Sequence, residues 1–434
     1  MYLTQTIREN ARKNPDGLAT IMGERRRTWT EFNDRVARLA AGLSSCGVAK
    51  GDRVAMLALN SDRYFEYYFA CWWLGAVVMP MNLRWSASEN AYALNDSGTE
   101  VLIIDDKFLP MAEAILAEAG GVKVKIHLGD GPAPDGYQSY EALIAASEAI
   151  DDAGAGGEDL AGIFYTGGTT GFPKGVMLPH RGLWSSGVAL ASMLKLRAGA
   201  VYLHAAPMFH IADGAYSMGM TVSGGTHAFI PAFTPAGTID AIDAYKVTDV
   251  LLVPTMARMV LDDPGFDAAR LASLESVVYG ASPMPEGTIR KGLKLLANVR
   301  WAQAYGQTET SPVITMCGPE WHNFDADNQG RLRAAGQAVL CNEAKIAAED
   351  GRELPRGEVG EVWARGANTM LGYWNKPEAT AQAMVDGWVR TGDAGWMDKD
   401  GFIFIADRLK DMVITGGENV YSAEVENAIS KLAG

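Results

Sequence analysis

The chain has 434 residues, 48% apolar and 21% charged, with a net charge of −14. That length suggests two or three domains and leaves ample material for a large core. So acidic a chain lacks the basic surface that nucleic-acid or anionic-membrane binding requires.

The N-terminal MYLTQTIRENARK holds no apolar signal segment. Thr28 and Glu31 form a capping-box pair, after which Phe32, Val36, Leu39 and Leu43 fall on one helical face. Residues 53–59 read as a buried strand, residues 63–74 as a helix, AVVMPM as a strand and residues 101–105 as another. The apolar run 67–83 is broken by Gly75 and Pro80, so it reads as a buried helix leading into a strand, not a membrane span. Residues 151–159 read as a loop, and 160–166 as an apolar run before a Gly/Thr-rich stretch. Strands are expected at 249–253, 276–279 and 299–302. The alternation predicts α/β layers with mostly parallel sheet. From about Gly330 short runs divided by turn residues predict a small β-rich unit, to about residue 405. A charged strip, RLKD, then precedes a strand–turn unit too short to bury its own apolar face, which reads as the opening of a further domain. Cys46, Cys71, Cys317 and Cys341 form no CxxC pair, which argues against disulfide scaffolding and structural zinc and suits a reducing cytoplasm.

Residues 165–175, YTGGTTGFPKG, follow a predicted strand. Consecutive glycines let backbone N–H groups converge on an anion. Thr166, Thr169 and Thr170 add hydroxyls, and Lys174 adds a mobile charge. The stretch is neither a Walker A loop nor a dinucleotide fingerprint. On composition alone a triphosphate cradle and a flexible surface loop both remain open.

Further segments follow: PMFH (207–210), YGASP (279–283), YGQTE (305–309), GYWNKPEAT (372–380), TGD (391–393), DRLKD (407–411) and GGEN (416–419). Singly, Thr308 and Glu309 suit a helix start, Asp393 a turn, Arg408 and Lys410 a solvated strip, Tyr305 a core position and His210 a buried histidine. As an ordered set, spanning the whole chain, they resemble the adenylate-forming superfamily of acyl-CoA synthetases, nonribosomal adenylation domains and firefly luciferase. The Gly167 variant of the loop resembles the fatty-acyl-CoA synthetases.

The resemblance implies a large domain (1–408) of two α/β layered subdomains plus a small β-barrel-like one. Residues 409–434 would be the hinge and the incomplete start of an α+β lid domain. It implies ATP, Mg²⁺ and CoA as reactants. Thr166, Gly167, Gly168, Thr169, Thr170 and Gly171, with Lys174, would hold the β- and γ-phosphates. Thr308 would donate to the α-phosphate, and Glu309 would hold Mg²⁺. Asp393 and Arg408 would reach the ribose. Tyr305 would stack on adenine, with Gly280, Ala281 and Ser282 along its edge. His210 would gate or orient the acid, and Lys410 would be the hinge. Met208, Phe209, His210, Tyr279, Gly280, Gly306, Ser311, Pro312 and Val313 would line the acyl pocket. Gly416 and Gly417 would line the pantetheine tunnel. Hydroxycinnamate-CoA ligases carry a tyrosine where Ala212 stands and a small residue where Tyr279 stands, so one change opens the pocket and the other fills it. No lining position is charged, which favours a fatty or aryl acid.

The expected activity is acid–CoA ligation through acyl-AMP, the 434-residue chain binding its ligands but adenylating slowly without the lid's lysine. Loading of a carrier protein, or adenylate binding without catalysis, shares the same motifs. No nucleic-acid partner and no integral membrane segment are expected, and a homodimer is left open.

Overall fold

A computed structural model describes residues 1–167, 172–324 and 326–408, without the side chains of 326–329, and the paired strands Val413–Thr415 and Glu418–Val420. Contacts divide the chain into two compact units: Met1–Phe233 with Met370–Thr380, and Thr234–Thr369 with Ala381–Gly434.

Local chemistry sets the first unit's helices. Thr28 caps the helix Trp29–Ser45: its Oγ1 accepts from Glu31 N at 3.2 Å, and Glu31 Oε2 accepts from Thr28 N at 2.7 Å. Phe32, Val36, Leu39 and Leu43 are fully buried along that helix, as their spacing predicts. The helix Asp62–Leu74 is capped by Ser61 and stopped by Gly75 at φ +75°, a conformation glycine adopts without strain. It is buried almost all round, Asp62 and Glu66 included. Those carboxylates are tolerated because Arg25, Arg27 and Arg35 pair with them. No helix among the described residues is long and apolar enough to cross a membrane.

These helices pack on two sheets. The larger has the order Gly372–Tyr373, Lys174–Pro179, Leu160–Thr166, Val77–Pro80, Arg53–Leu57, Val101–Ile104, Val124–His127, Gln138–Ser139. It is parallel from Leu160–Thr166 onward, and the first two strands join it antiparallel. The second sheet runs Val201–His204, Thr226–Phe229, Leu18–Met22, Arg25–Thr28. Its last strand escapes a sequence reading because Arg25, Arg26 and Arg27 give no apolar alternation.

In the second unit Asp249–Leu251, Ser276–Gly280 and Arg300–Tyr305 are parallel, and Thr315–Cys317 and Gln337–Ala338 extend them antiparallel. A separate antiparallel sheet orders Asn342–Ala347, Gly360–Gly366, Trp388–Met397 and Met384–Val385, with Ile403–Arg408 also on Trp388–Met397. This is the β-rich unit expected from the sequence. Its core is Ile346, Val362, Met397 and Ile403. The strip's first residue, Arg408, ends a strand.

Candidate active site

In the first unit the strands Leu160–Thr166 and Lys174–Pro179 form an antiparallel hairpin in which Thr166 faces Lys174. The glycine–threonine stretch is therefore the hairpin's connection. Gly168, Thr169, Thr170 and Gly171 lie outside the described residues, as do Lys410, Gly416 and Gly417. The hairpin base is clamped. Tyr165 donates to Asp96 Oδ2 at 2.6 Å, and burial and that carboxylate push its phenol well above the usual range. Phe172 stacks on Tyr92, ring centroids 4.6 Å apart. Trp374 donates from its backbone N to Gly175 O at 2.8 Å and from Nε1 to Asp96 O at 2.9 Å. Lys174 Nζ sits 5.0 Å over the Tyr373 ring. Residues 372–374 thus brace the Lys174 end of the loop, while Asp96 holds the Tyr165 end.

The turn before His210 is also fixed from afar. Asn60 Oδ1 accepts from Met208 N at 2.8 Å, and Tyr68 donates to Met208 O at 2.7 Å. Met208 and Phe209 are buried. His210 begins the helix Ile211–Ser223 with its ring 4.1 Å from that of Phe209. It keeps solvent-open surface, yet the protein on its other side and the Arg84 cation lower its pKa to about 4. It is therefore neutral at pH 7 and can donate a hydrogen bond without carrying charge. A largely apolar cavity beside Ile211, lined by Phe65, Tyr68, Phe69, Trp72 and Asp213 among others, measures about 20 Å³. That holds roughly one water and no acyl chain.

In the second unit Asp393, Tyr305 and Arg408 meet. Tyr305 donates to Asp393 Oδ2 at 2.7 Å, and Arg408 Nε lies 3.4 Å from Oδ1. Asp393 is 8% exposed. Burial and the neighbouring carboxylate hold the Tyr305 phenol protonated, well above its usual range. Thr308 and Glu309 are half-buried in the 3₁₀ turn Thr308–Thr310. Next to it Ser311 sits at φ +54° with its hydroxyl buried and without a partner among the described residues. Asn368 Nδ2 braces this segment, donating to Thr310 O at 2.8 Å and Val313 O at 2.6 Å. Val313 is buried and Pro312 partly so.

Two glycines are sterically required. A Cβ on Gly280 would collide with the Ala304 carbonyl oxygen, and one on Gly306 with that of Pro312. Ala281, at φ +68°, and Ser282 are exposed at the end of the strand Ser276–Gly280. Tyr279 is fully buried, its hydroxyl 2.9 Å from His322 Nε2.

Mg²⁺ fits this donor set as part of a nucleotide complex. No cluster of three or more His, Cys, Asp or Glu groups able to hold a metal exists among the described residues. A magnesium ion bound mainly by phosphates and water needs only one or two carboxylates, and Glu309 can supply one.

Sequence reasoning missed Asn60, Asp96, Glu361 and Asn368, which touch motif residues across long separations. Glu361 alone left a signal, a carboxylate directly beside the apolar run 362–364.

A clamped Gly/Thr hairpin loop in one α/β unit, and a buried Tyr–Asp pair with an arginine in the other, are the parts of an adenylate-forming enzyme. The model of the AMP-binding enzyme family matches residues 7–374, and the chain belongs to that family, in the adenylate-forming superfamily. It is 35% identical over 431 residues to the fatty acid–[acyl-carrier-protein] ligase ScoC of Streptomyces coeruleorubidus, covering 98% of this chain and 81% of that one. With the feruloyl-CoA synthase of an Amycolatopsis species it shares 36% over 420 residues, covering 96% and 81%. Among solved structures, ATP-bound MatB from Rhodopseudomonas palustris superposes with a TM-score of 0.88 at 30% identity, covering 100% of this chain and 84% of that one.

Proposed function

We propose that this protein is an ATP-dependent acid–CoA ligase that works through an acyl-AMP intermediate. The observation that carries the reading is the Tyr305–Asp393–Arg408 arrangement: a nearly buried carboxylate held by a phenol, suited to accept hydrogen bonds from ribose hydroxyls. The acid is already ionised at neutral pH, so the first step needs no general base. Its obstacle is repulsion between anions, and catalysis is positioning and charge neutralisation. The carboxylate oxygen attacks the α-phosphorus, the bond to the β-phosphate breaks, and pyrophosphate leaves. The CoA sulfur then attacks the acyl carbon and AMP leaves.

In this reading Thr166, Gly167 and Lys174, with residues 168–171, hold the β- and γ-phosphates. Thr308 meets the α-phosphate, and Glu309 meets the Mg²⁺ that the nucleotide carries. Neutral His210 orients the acid. Tyr305 also stacks on adenine, whose edge runs along Gly280, Ala281 and Ser282. Residues 1–408 form the adenylating domain, and 409–434, with Lys410, Gly416 and Gly417, the hinge and the opening of a lid. No charged residue stands at Met208, Phe209, Tyr279, Pro312 or Val313, which supports a fatty or aryl acid. Four free cysteines support a reducing, cytoplasmic setting.

A panel of acids with ATP and CoA, read by pyrophosphate release and by mass spectrometry of acyl-CoA, tests this. The highest kcat/KM should fall on a medium- or long-chain fatty acid or an aryl acid. Preference for acetate or an amino acid would refute the acid class. Pyrophosphate release without acyl-CoA, together with labelling of a carrier protein's phosphopantetheine, would favour the second reading, which the likeness to ScoC supports.

A further inference from the structure

We propose that Glu361 is a positioning residue for nucleotide recognition, holding the Thr391–Gly392–Asp393 segment so that Asp393 faces the ribose; this rests on the reading of Asp393 given above.

The argument starts from the strand register. Gly360–Gly366 and Trp388–Met397 are antiparallel partners, with Glu361 opposite Ala394 and Trp363 opposite Arg390. Two steps along one strand match four along the other, so residues 391–393 bulge out opposite Val362. A bulge re-aims a side chain but strips backbone groups of their ladder partners. Gly392 sits in it at φ +72°.

Side chains replace the lost ladder. Glu361 Oε1 accepts from Gly392 N at 2.9 Å. Thr391 Oγ1 donates to Val362 O at 2.7 Å and accepts from Asp393 N at 3.1 Å. Glu361 itself is 8% exposed, and its other oxygen accepts from Trp363 Nε1 and Arg390 Nε, each at 2.9 Å. A carboxylate this buried would be costly without donors, and here three converge on it. One of the three belongs to the backbone of the residue before Asp393. The carboxylate therefore does for the bulge what a carbonyl does in regular sheet, with a stronger, charge-assisted bond.

An amide cannot do the same. In Glu361→Gln the single amide oxygen turns to the Arg390 guanidinium, and the NH₂ then faces the Gly392 N–H, donor against donor. The bulge is released while the fold's core is untouched.

The test is titration calorimetry of the whole chain with ATP, 2′-deoxyATP and 3′-deoxyATP. Wild type is expected to prefer ATP. Glu361→Gln is expected to weaken ATP about tenfold, the equivalent of about 1.4 kcal/mol, and to narrow the preference over both deoxynucleotides by a similar factor. Trp363→Phe removes a donor from the same carboxylate but not from the bulge, and should lower Tm without narrowing the preference. Glu361→Asp keeps the charge but loses the reach, and serves in the same way should Glu361→Gln not fold. An unchanged ribose preference in the Glu361 variants, with Asp393→Ala having lost it, overturns this inference and leaves the proposed function standing. Full preference retained in Asp393→Ala overturns both.

Discussion

Replacing Tyr305 by phenylalanine keeps the ring and deletes one hydroxyl, which makes it the sharpest test of how Asp393 is aimed. The hydroxyl lies 2.7 Å from Asp393 Oδ2. The Asp393 side chain is 11% exposed, so water cannot readily replace the lost donor. Arg408, on the other oxygen at 3.4 Å, is 61% exposed and contributes little as a screened surface charge. A hydrogen bond to a charged group contributes about 1.5–3 kcal/mol, and the lower half of that range fits a carboxylate with a second partner. In a unit of this size each kcal/mol shifts Tm by about 2–4 °C, so Tyr305→Phe should melt about 3–9 °C lower. The proposed stacking on adenine needs only the ring, which the variant keeps, so a change in ATP affinity would report the carboxylate's aim. Calorimetry should show ATP binding weakened about tenfold, with acid binding unchanged. Had the phenol competed with the ribose for Oδ2, ATP would bind Tyr305→Phe more tightly. That result, or an unchanged affinity with a lowered Tm, would refute the reasoning.

Acid should weaken the fold through two histidines. His180 and His210 have pKa values lowered to about 4, buried His180 by loss of water and His210, partly open to solvent, by the protein on its inner side and by Arg84. The unfolded chain takes up these protons near pH 6.5, so stability holds above that pH and falls as the pH drops toward 4. Urea midpoints at pH 8 and pH 4.5 read this, and His180→Phe should flatten the slope; an identical slope in the variant would remove His180 from the account. Gly306→Ala should cost about 1–3 kcal/mol, because the new methyl meets backbone at Pro312 and, 2.8 Å away, at Ile314 N. KM for the acid should rise more than KM for ATP, while Gly287→Ala, with nothing within 4 Å among the described residues, should be neutral or stabilising; equal effects from the two would show that crowding is not the cause.

What the sequence disclosed was what neighbouring residues decide among themselves. The Thr28–Glu31 cap, the buried helix ending at Gly75 and the strand Leu160–Thr166 each follow from one short stretch of chain. The adenylate-forming motifs were legible for a different reason, their order along the chain. Hidden were the contacts that aim those motifs. Asn60 reaches Met208 across 148 positions, and Trp374 reaches Asp96 across 278. Nothing near Asn60 or Asp96 announces such a partner. The bulge at residues 391–393 was equally invisible, because TGD alone reads as an ordinary turn and only the pairing with Gly360–Gly366 turns it into an aimed carboxylate.

The strand Gly372–Tyr373, which edges the first unit's larger sheet, carries a consequence for biosynthesis. Its partner, Lys174–Pro179, leaves the ribosome nearly 200 residues earlier. At ordinary elongation rates that strand waits roughly 10–40 s with one edge bare. A bare edge invites pairing with other nascent chains, so the interval is when this polypeptide most needs a chaperone. A fragment ended near residue 233 would keep that edge open for good.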